Sequence, residues 1–156
     1  MATLSGFTDR FAKVNGVRLR YLIGGKGSPV VLLHGYAETG HMWRPIMPLL
    51  APRHTVIVPD LRGAGGSAKP ASGYDKKNMA VDIHELTSSL GLDRVRIVGH
   101  DIGLMVAYAY AAQFRRMGSG LAITHCRSEL TGMRRSFAEP ITRMVRPGPI
   151  SPYLVA

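Results

Sequence analysis

The sequence predicts an α/β fold: a mainly parallel sheet that opens on an antiparallel hairpin and carries helices on both faces. Three observations point there. Between Pro29 and Phe114, short runs of β-branched and aliphatic residues alternate with stretches whose apolar residues recur at helical spacing. Those short runs are apolar throughout, as in strands buried on both faces. Upstream, Asn15-Gly16 separates two β-like segments, and Asn-Gly readily takes the positive φ angles of a tight hairpin turn.

Each element follows from its residues. Phe11 to Val14 and Val17 to Ile23 form the hairpin, and Pro29 to Leu33 is the first buried strand, ending at His34-Gly35. Trp43, Ile46, Met47 and Leu50 share helical spacing and predict a helix over 43–50. Thr55 to Val58 is the next strand, closed by Pro59-Asp60. A stretch rich in turn residues runs from Gly63 to Gly73. Met79, Ile83, Leu86 and Leu90 then stripe a helix over Asn78 to Leu90, ended by Gly91. Val95 to Val98 is a third apolar strand, and Ile102 to Phe114 a long apolar helix. Beyond it, Ala122 to Thr124 reads as a strand and Ser136 to Val145 as a short helix.

Composition narrows the function classes. At 156 residues and 46% apolar, the chain is in the range of one domain with a real core. It has no run long enough to span a membrane and no basic-flanked apolar leader in its first residues, so a soluble cytoplasmic protein is expected. The single Cys126 cannot form an internal disulfide, and no Cys/His spacing suits a metal, so no cofactor or metal is expected. The net charge of +10 would attract polyanions. Half of that excess lies in the last 42 residues, without a basic helix face or aromatic platform, so neither nucleic acid nor membrane is the expected partner. Binding of a polyanion through the arginine-rich end is the weakest of the rival readings.

The chemistry concentrates at Gly99-His100-Asp101-Ile102-Gly103, between a buried strand and a helix. A nucleophile flanked in this way by glycines is forced into a sharp turn that lifts its side chain above the sheet. The helix start offers free N–H groups and a positive dipole end, which favour the carboxylate anion. A carboxylate in that state can attack carbon to form an ester. An aspartate at a helix start can instead be a simple cap. Two glycine-rich stretches have other readings to exclude. Gly63-Ala64-Gly65-Gly66-Ser67-Ala68 matches a dinucleotide fingerprint formally, but Lys69-Pro70 follows where a helix should. Gly24-Gly25-Lys26-Gly27 lacks the spacing and hydroxyl of a phosphate loop. Trp43 and the methionines at 42, 47, 79 and 105 are core candidates, with a side chain such as Trp43 near the nucleophile also able to line a substrate pocket.

His34-Gly35-Tyr36 after one strand, Asp60-Leu61-Arg62-Gly63-Ala64-Gly65-Gly66-Ser67 after the next, and then Gly-His-Asp-Ile-Gly together resemble the α/β-hydrolases. The aspartate in place of serine resembles the branch of epoxide hydrolases and haloalkane or haloacid dehalogenases. The resemblance covers Phe11 to Phe114. It implies that residues 1–114 are the N-terminal half of a hydrolase domain, with 115–156 an atypical tail. It also implies that Asp101 attacks an electrophilic carbon, and that the N–H groups of Tyr36 and Ile102 form the oxyanion hole. His34 and His100 are expected to be structural, because the family's base comes from much later in the chain.

Departures from the family shape the rest of the expectation. After Asp101 the only histidine is His125 and the only carboxylates are Glu129 and Glu139, so the general base and second acid are not identifiable. Seven arginines without a lysine or aspartate after Phe114 predict a frameshift or truncation there, which sequencing the locus would test. Ile102 stands where haloalkane dehalogenases tend to place a halide-binding tryptophan, and no arginine follows the nucleophile as in haloacid relatives. Epoxide hydrolysis is therefore the leading expectation, with a small hydrophobic electrophile such as an epoxide as substrate. Dehalogenation, and a non-catalytic remnant that binds a small hydrophobic molecule or pairs with another chain through an exposed sheet edge, are the alternatives.

Overall fold

The computed structural model describes residues 4–114 and 121–124. The hairpin pairs β1 (Phe7–Val14) with β2 (Val17–Gly25), with Val14 opposite Val17 across the turn. Asn15 at φ 43° and Gly16 at φ 74° supply the left-handed pair that such a turn requires. β1 begins four residues before the predicted Phe11. Its added residues Thr8, Asp9 and Arg10 are exposed, so the terminal strand shows little of the apolar pattern by which strands are recognised.

β3 (Ser28–Leu33), β4 (His54–Pro59) and β5 (Arg96–His100) are the expected buried strands, and β6 (Leu121–Thr124) is the predicted short strand extended by one residue. The sheet order is β1-β2-β4-β3-β5-β6, with β4, β3, β5 and β6 parallel and β1 and β2 antiparallel. β3 lies between β4 and β5, so the chain leaves it first to one side and then crosses to the other. Loops at the carboxyl ends of strands flanking such a reversal diverge and leave a crevice. The predicted helix over Ser136 to Val145 falls outside the described residues.

Two cores sandwich the sheet because successive strand residues face opposite ways. Val31, Leu33, Ile57 and Ile97 face Met79, Ile83, Leu86, Val106 and Tyr110 of α2 (Lys76–Ser89) and α3 (Ile102–Gln113). Val30, Leu32, Val56, Val58 and Val98 face Trp43, Ile46, Met47 and Leu50. Full burial of each such aliphatic side chain contributes roughly 1.5–3 kcal/mol.

Two helix predictions need correction. Residues 43–50 do not form one helix: a 3-10 turn over Gly40–Trp43 is followed by a separate short α1 (Met47–Leu50). Pro45 and Pro48 have no N–H to continue an α-helical ladder through this stretch. α2 starts at Lys76 rather than Asn78, because Asp75 caps it by accepting from the Asn78 N–H at 2.9 Å. Among the described residues no helix is long and apolar enough to cross a membrane.

Candidate active site

The parallel pairing of β3 and β5 sets Leu33 opposite Gly99. The segments that follow, His34-Gly35-Tyr36 and His100-Asp101, therefore leave the sheet side by side. Asp101 has φ 50° and ψ −118°, a conformation rarely adopted by a residue with a Cβ. Holding it costs on the order of 1–3 kcal/mol. The neighbouring glycines make the turn sterically feasible. A Cβ on Gly99 would lie 2.4 Å from the Gly103 carbonyl oxygen, and one on Gly103 would lie 2.4 Å from that of Leu33. α3 thus starts pressed against the ends of β3 and β5, where only glycine fits.

The side chain of Asp101 makes no cap bond to its own helix. Its Oδ2 instead accepts the main-chain N–H of Tyr36 at 2.8 Å. Oδ1 makes no hydrogen bond among the described residues, and the residue is exposed. Of the two N–H groups expected to form an oxyanion hole, the structure brings the Tyr36 group to the carboxylate. The Ile102 N–H lies next to it in sequence but is not hydrogen-bonded to it. Tyr36 is 78% exposed. Trp43 is 4% exposed and packed on the α1 face of the sheet.

His34 is engaged on both ring nitrogens. Its Nδ1 lies 2.9 Å from the Gly35 carbonyl oxygen and its Nε2 accepts the Leu61 N–H at 2.9 Å. These bonds require a neutral ring protonated on Nδ1, and burial lowers the His34 pKa below the usual histidine value. His34 thereby ties the loop after β3 to the loop after β4. His100 Nδ1 is buried and 3.2 Å from Glu38 Oε2, without hydrogen-bond geometry.

Asp60 and Glu38 organise the loops around the turn, and the sequence assigned neither a role. Asp60 is 1% exposed. It accepts from the N–H groups of Gly40 and Gly66, each at 2.9 Å, and from Arg20 at 3.0 Å. The glycine-rich loop is thus wrapped around this carboxylate, and a Cβ on Gly65 would fall 2.1 Å from Asp60 Oδ2. Glu38 Oε2 accepts the Gly35 N–H at 3.0 Å. A glutamate turning back on the N–H three residues earlier resembles half of a capping box, but Gly35 has no hydroxyl to reciprocate and no helix starts there, so the sequence carries no such signal. The approach of Glu38 to His100 has no local signal either. Further from the turn, Arg62 forms a buried two-pronged pair with Asp82 of α2, with Nε to Oδ2 at 2.6 Å, and Asn15 donates to Asp82 Oδ1 at 2.8 Å.

A buried strand that passes through a sharp, strained turn between close-packed glycines into a helix is the backbone form found in the α/β-hydrolase fold. The chain belongs to that family: the model of the alpha/beta hydrolase fold matches residues 28–123. Among curated relatives, the soluble epoxide hydrolase of Corynebacterium sp. (strain C12) is 43% identical over 138 residues, which is 88% of this chain and 48% of that protein. A fluoroacetate dehalogenase of Burkholderia sp is 44% identical over 103 residues, 63% of this chain and 34% of the relative. Among solved structures, epoxide hydrolase A from Mycobacterium thermoresistibile superposes with a TM-score of 0.72 at 32% identity, over 75% of this chain and 38% of that one. The chain therefore spans about half, or less, of the length of these relatives.

Proposed function

We propose that the chain carries the nucleophile half of an epoxide hydrolase-like enzyme, with Asp101 as the attacking carboxylate. The observation that carries this reading is the Tyr36 N–H bond to Oδ2 of an exposed Asp101, which leaves Oδ1 without a hydrogen bond among the described residues. Oδ1 attacks an epoxide carbon, the carbon–oxygen bond of the ring breaks, and the released alkoxide takes a proton from solvent water, leaving hydroxide. The product is a 2-hydroxyalkyl ester of Asp101 whose carbonyl oxygen is Oδ2. Water attack on that carbonyl would move negative charge onto Oδ2, where the Tyr36 N–H already points; a rotation bringing the Ile102 N–H to the same oxygen would complete a two-donor oxyanion hole.

Hydrolysis of the ester needs a base. Among the described residues no histidine ring is hydrogen-bonded to the Asp101 carboxylate: His34 is occupied on both nitrogens and His100 Nδ1 lies against Glu38. Where no base from outside these residues reaches it, the ester persists. Intact-protein mass spectrometry after incubation with a small epoxide panel tests the proposal. Wild type should gain the mass of one epoxide and Asp101→Ala should not; an unmodified, folded wild type would support a non-catalytic role.

The 44% identity to a fluoroacetate dehalogenase supports a second reading, displacement of halide by the same carboxylate. Halide release from a haloacid with no adduct from any epoxide would favour it.

A further inference from the structure

We propose that Glu38 is a positioning residue, a clamp that holds together the two chain segments meeting at Asp101. The proposal deepens the ester reading above, and its chemical consequence rests on that reading. One oxygen, Glu38 Oε2, accepts the Gly35 N–H at 3.0 Å and lies 3.2 Å from His100 Nδ1. Gly35 immediately precedes Tyr36, the donor, and His100 immediately precedes Asp101, the acceptor. A single carboxylate oxygen therefore touches the residue before each member of the Tyr36–Asp101 bond.

The space between the segments is closed down to this contact. A Cβ on Gly35 would lie 2.6 Å from His100 Nδ1, 2.7 Å from Glu38 Oε2 and 3.1 Å from the Asp101 Cβ. Between Gly35 and Glu38 the chain passes through Ala37 at φ 55°, a conformation that does not hold itself. Two bonds pin this loop from its ends: Glu38 holds the Gly35 N–H, and Asp60 holds the Gly40 N–H at 2.9 Å. The Glu38 side chain is 37% exposed, so it is not serving as core packing. Its place is explained by what its carboxylate touches. Without it, the His34-Gly35 peptide loses the bond on its N–H, one peptide before the Tyr36 N–H, and the loop is freer to move that N–H off Oδ2.

Amide hydrogen exchange on the ¹⁵N-labelled full chain tests the clamp directly, with the Ile57 amide of β4 as internal reference. In Glu38→Ala, exchange at Tyr36 should accelerate by about tenfold or more while Ile57 is unchanged, as for a local opening. Glu38→Gln keeps an oxygen for the Gly35 N–H and should stay within about threefold of wild type at Tyr36. Unchanged Tyr36 exchange in Glu38→Ala would overturn the proposal. Should that variant not fold, Glu38→Asp decides: its shorter carboxylate cannot span both contacts, so Tyr36 exchange should rise, and wild-type exchange would overturn the clamp. The chemical arm is read separately. The rate of ester formation at saturating epoxide should fall by about 10–100-fold in Glu38→Ala, with half-saturation unchanged, as expected for lost alignment rather than lost binding. If wild type forms no ester, the nucleophile reading fails while hydrogen exchange still decides the clamp.

Discussion

The main-chain N–H of Tyr36 donates to Asp101 Oδ2 at 2.8 Å, joining residues 65 apart in sequence. The bond exists because β3 and β5 are parallel neighbours, with Leu33 opposite Gly99. Everything required of the turn follows from that adjacency: glycines where α3 meets the strand ends, strain at Asp101, and a side chain directed away from its own helix.

Relief of that strain should be measurable. Asp101→Gly removes the Cβ from a position at φ 50° and ψ −118°, and it should stabilise the fold by about 1 kcal/mol after allowing for the entropy of an added glycine. Urea unfolding checks this, and the same variant should form no ester.

The flanking glycines should behave in the opposite way. Gly103→Ala drives a Cβ to within 2.4 Å of the Leu33 carbonyl oxygen and 2.6 Å of that of His34, backbone atoms that cannot swing aside. A loss of about 3 kcal/mol is expected in urea, with an unchanged m-value.

The Arg62–Asp82 pair predicts an asymmetry. Asp82→Ala strands a buried guanidinium whose pKa is raised chiefly by its hydrogen bond to Asp82, and should cost about 3–5 kcal/mol. Replacing both partners by apolar residues, Arg62→Met with Asp82→Leu, should recover most of that loss, as read by thermal or urea unfolding.

Acid should weaken the fold through its buried histidines. His34 and His54 both have lowered pKa values, chiefly from burial. The unfolded chain then binds more protons than the folded one at mildly acidic pH. Their contribution is complete above the unfolded histidine pKa of about 6.5 and is lost as pH falls through it toward the folded values. Unfolding free energy should drop between pH 7.5 and 5.5, and His34→Asn should show a shallower drop over the same interval.

How much of this was legible depended on whether the signal was local. The buried strands, the Asn15-Gly16 turn and the two glycines around Asp101 each reflect a constraint within a few residues, and the sequence shows them. The start of β1 was hidden because Thr8, Asp9 and Arg10 face solvent. The break between the 3-10 turn and α1 was readable from Pro45 and Pro48, but the apolar spacing of Trp43, Ile46, Met47 and Leu50 masked it. The clasp of Glu38 on His100, and the gathering of Gly40, Gly66 and Arg20 around Asp60, arise from strand adjacency, which no local pattern encodes.

The most direct test of Asp101 as nucleophile is to locate the bond it forms. Trypsin cleavage after Arg96 and Arg115 yields peptide 97–115, which contains Asp101. After incubation with a small epoxide and an acid quench, that peptide should carry one epoxide mass, with fragment ions placing it on Asp101, and Asp101→Asn should carry none. An adduct on another residue, or an unmodified peptide from folded protein, would contradict the account.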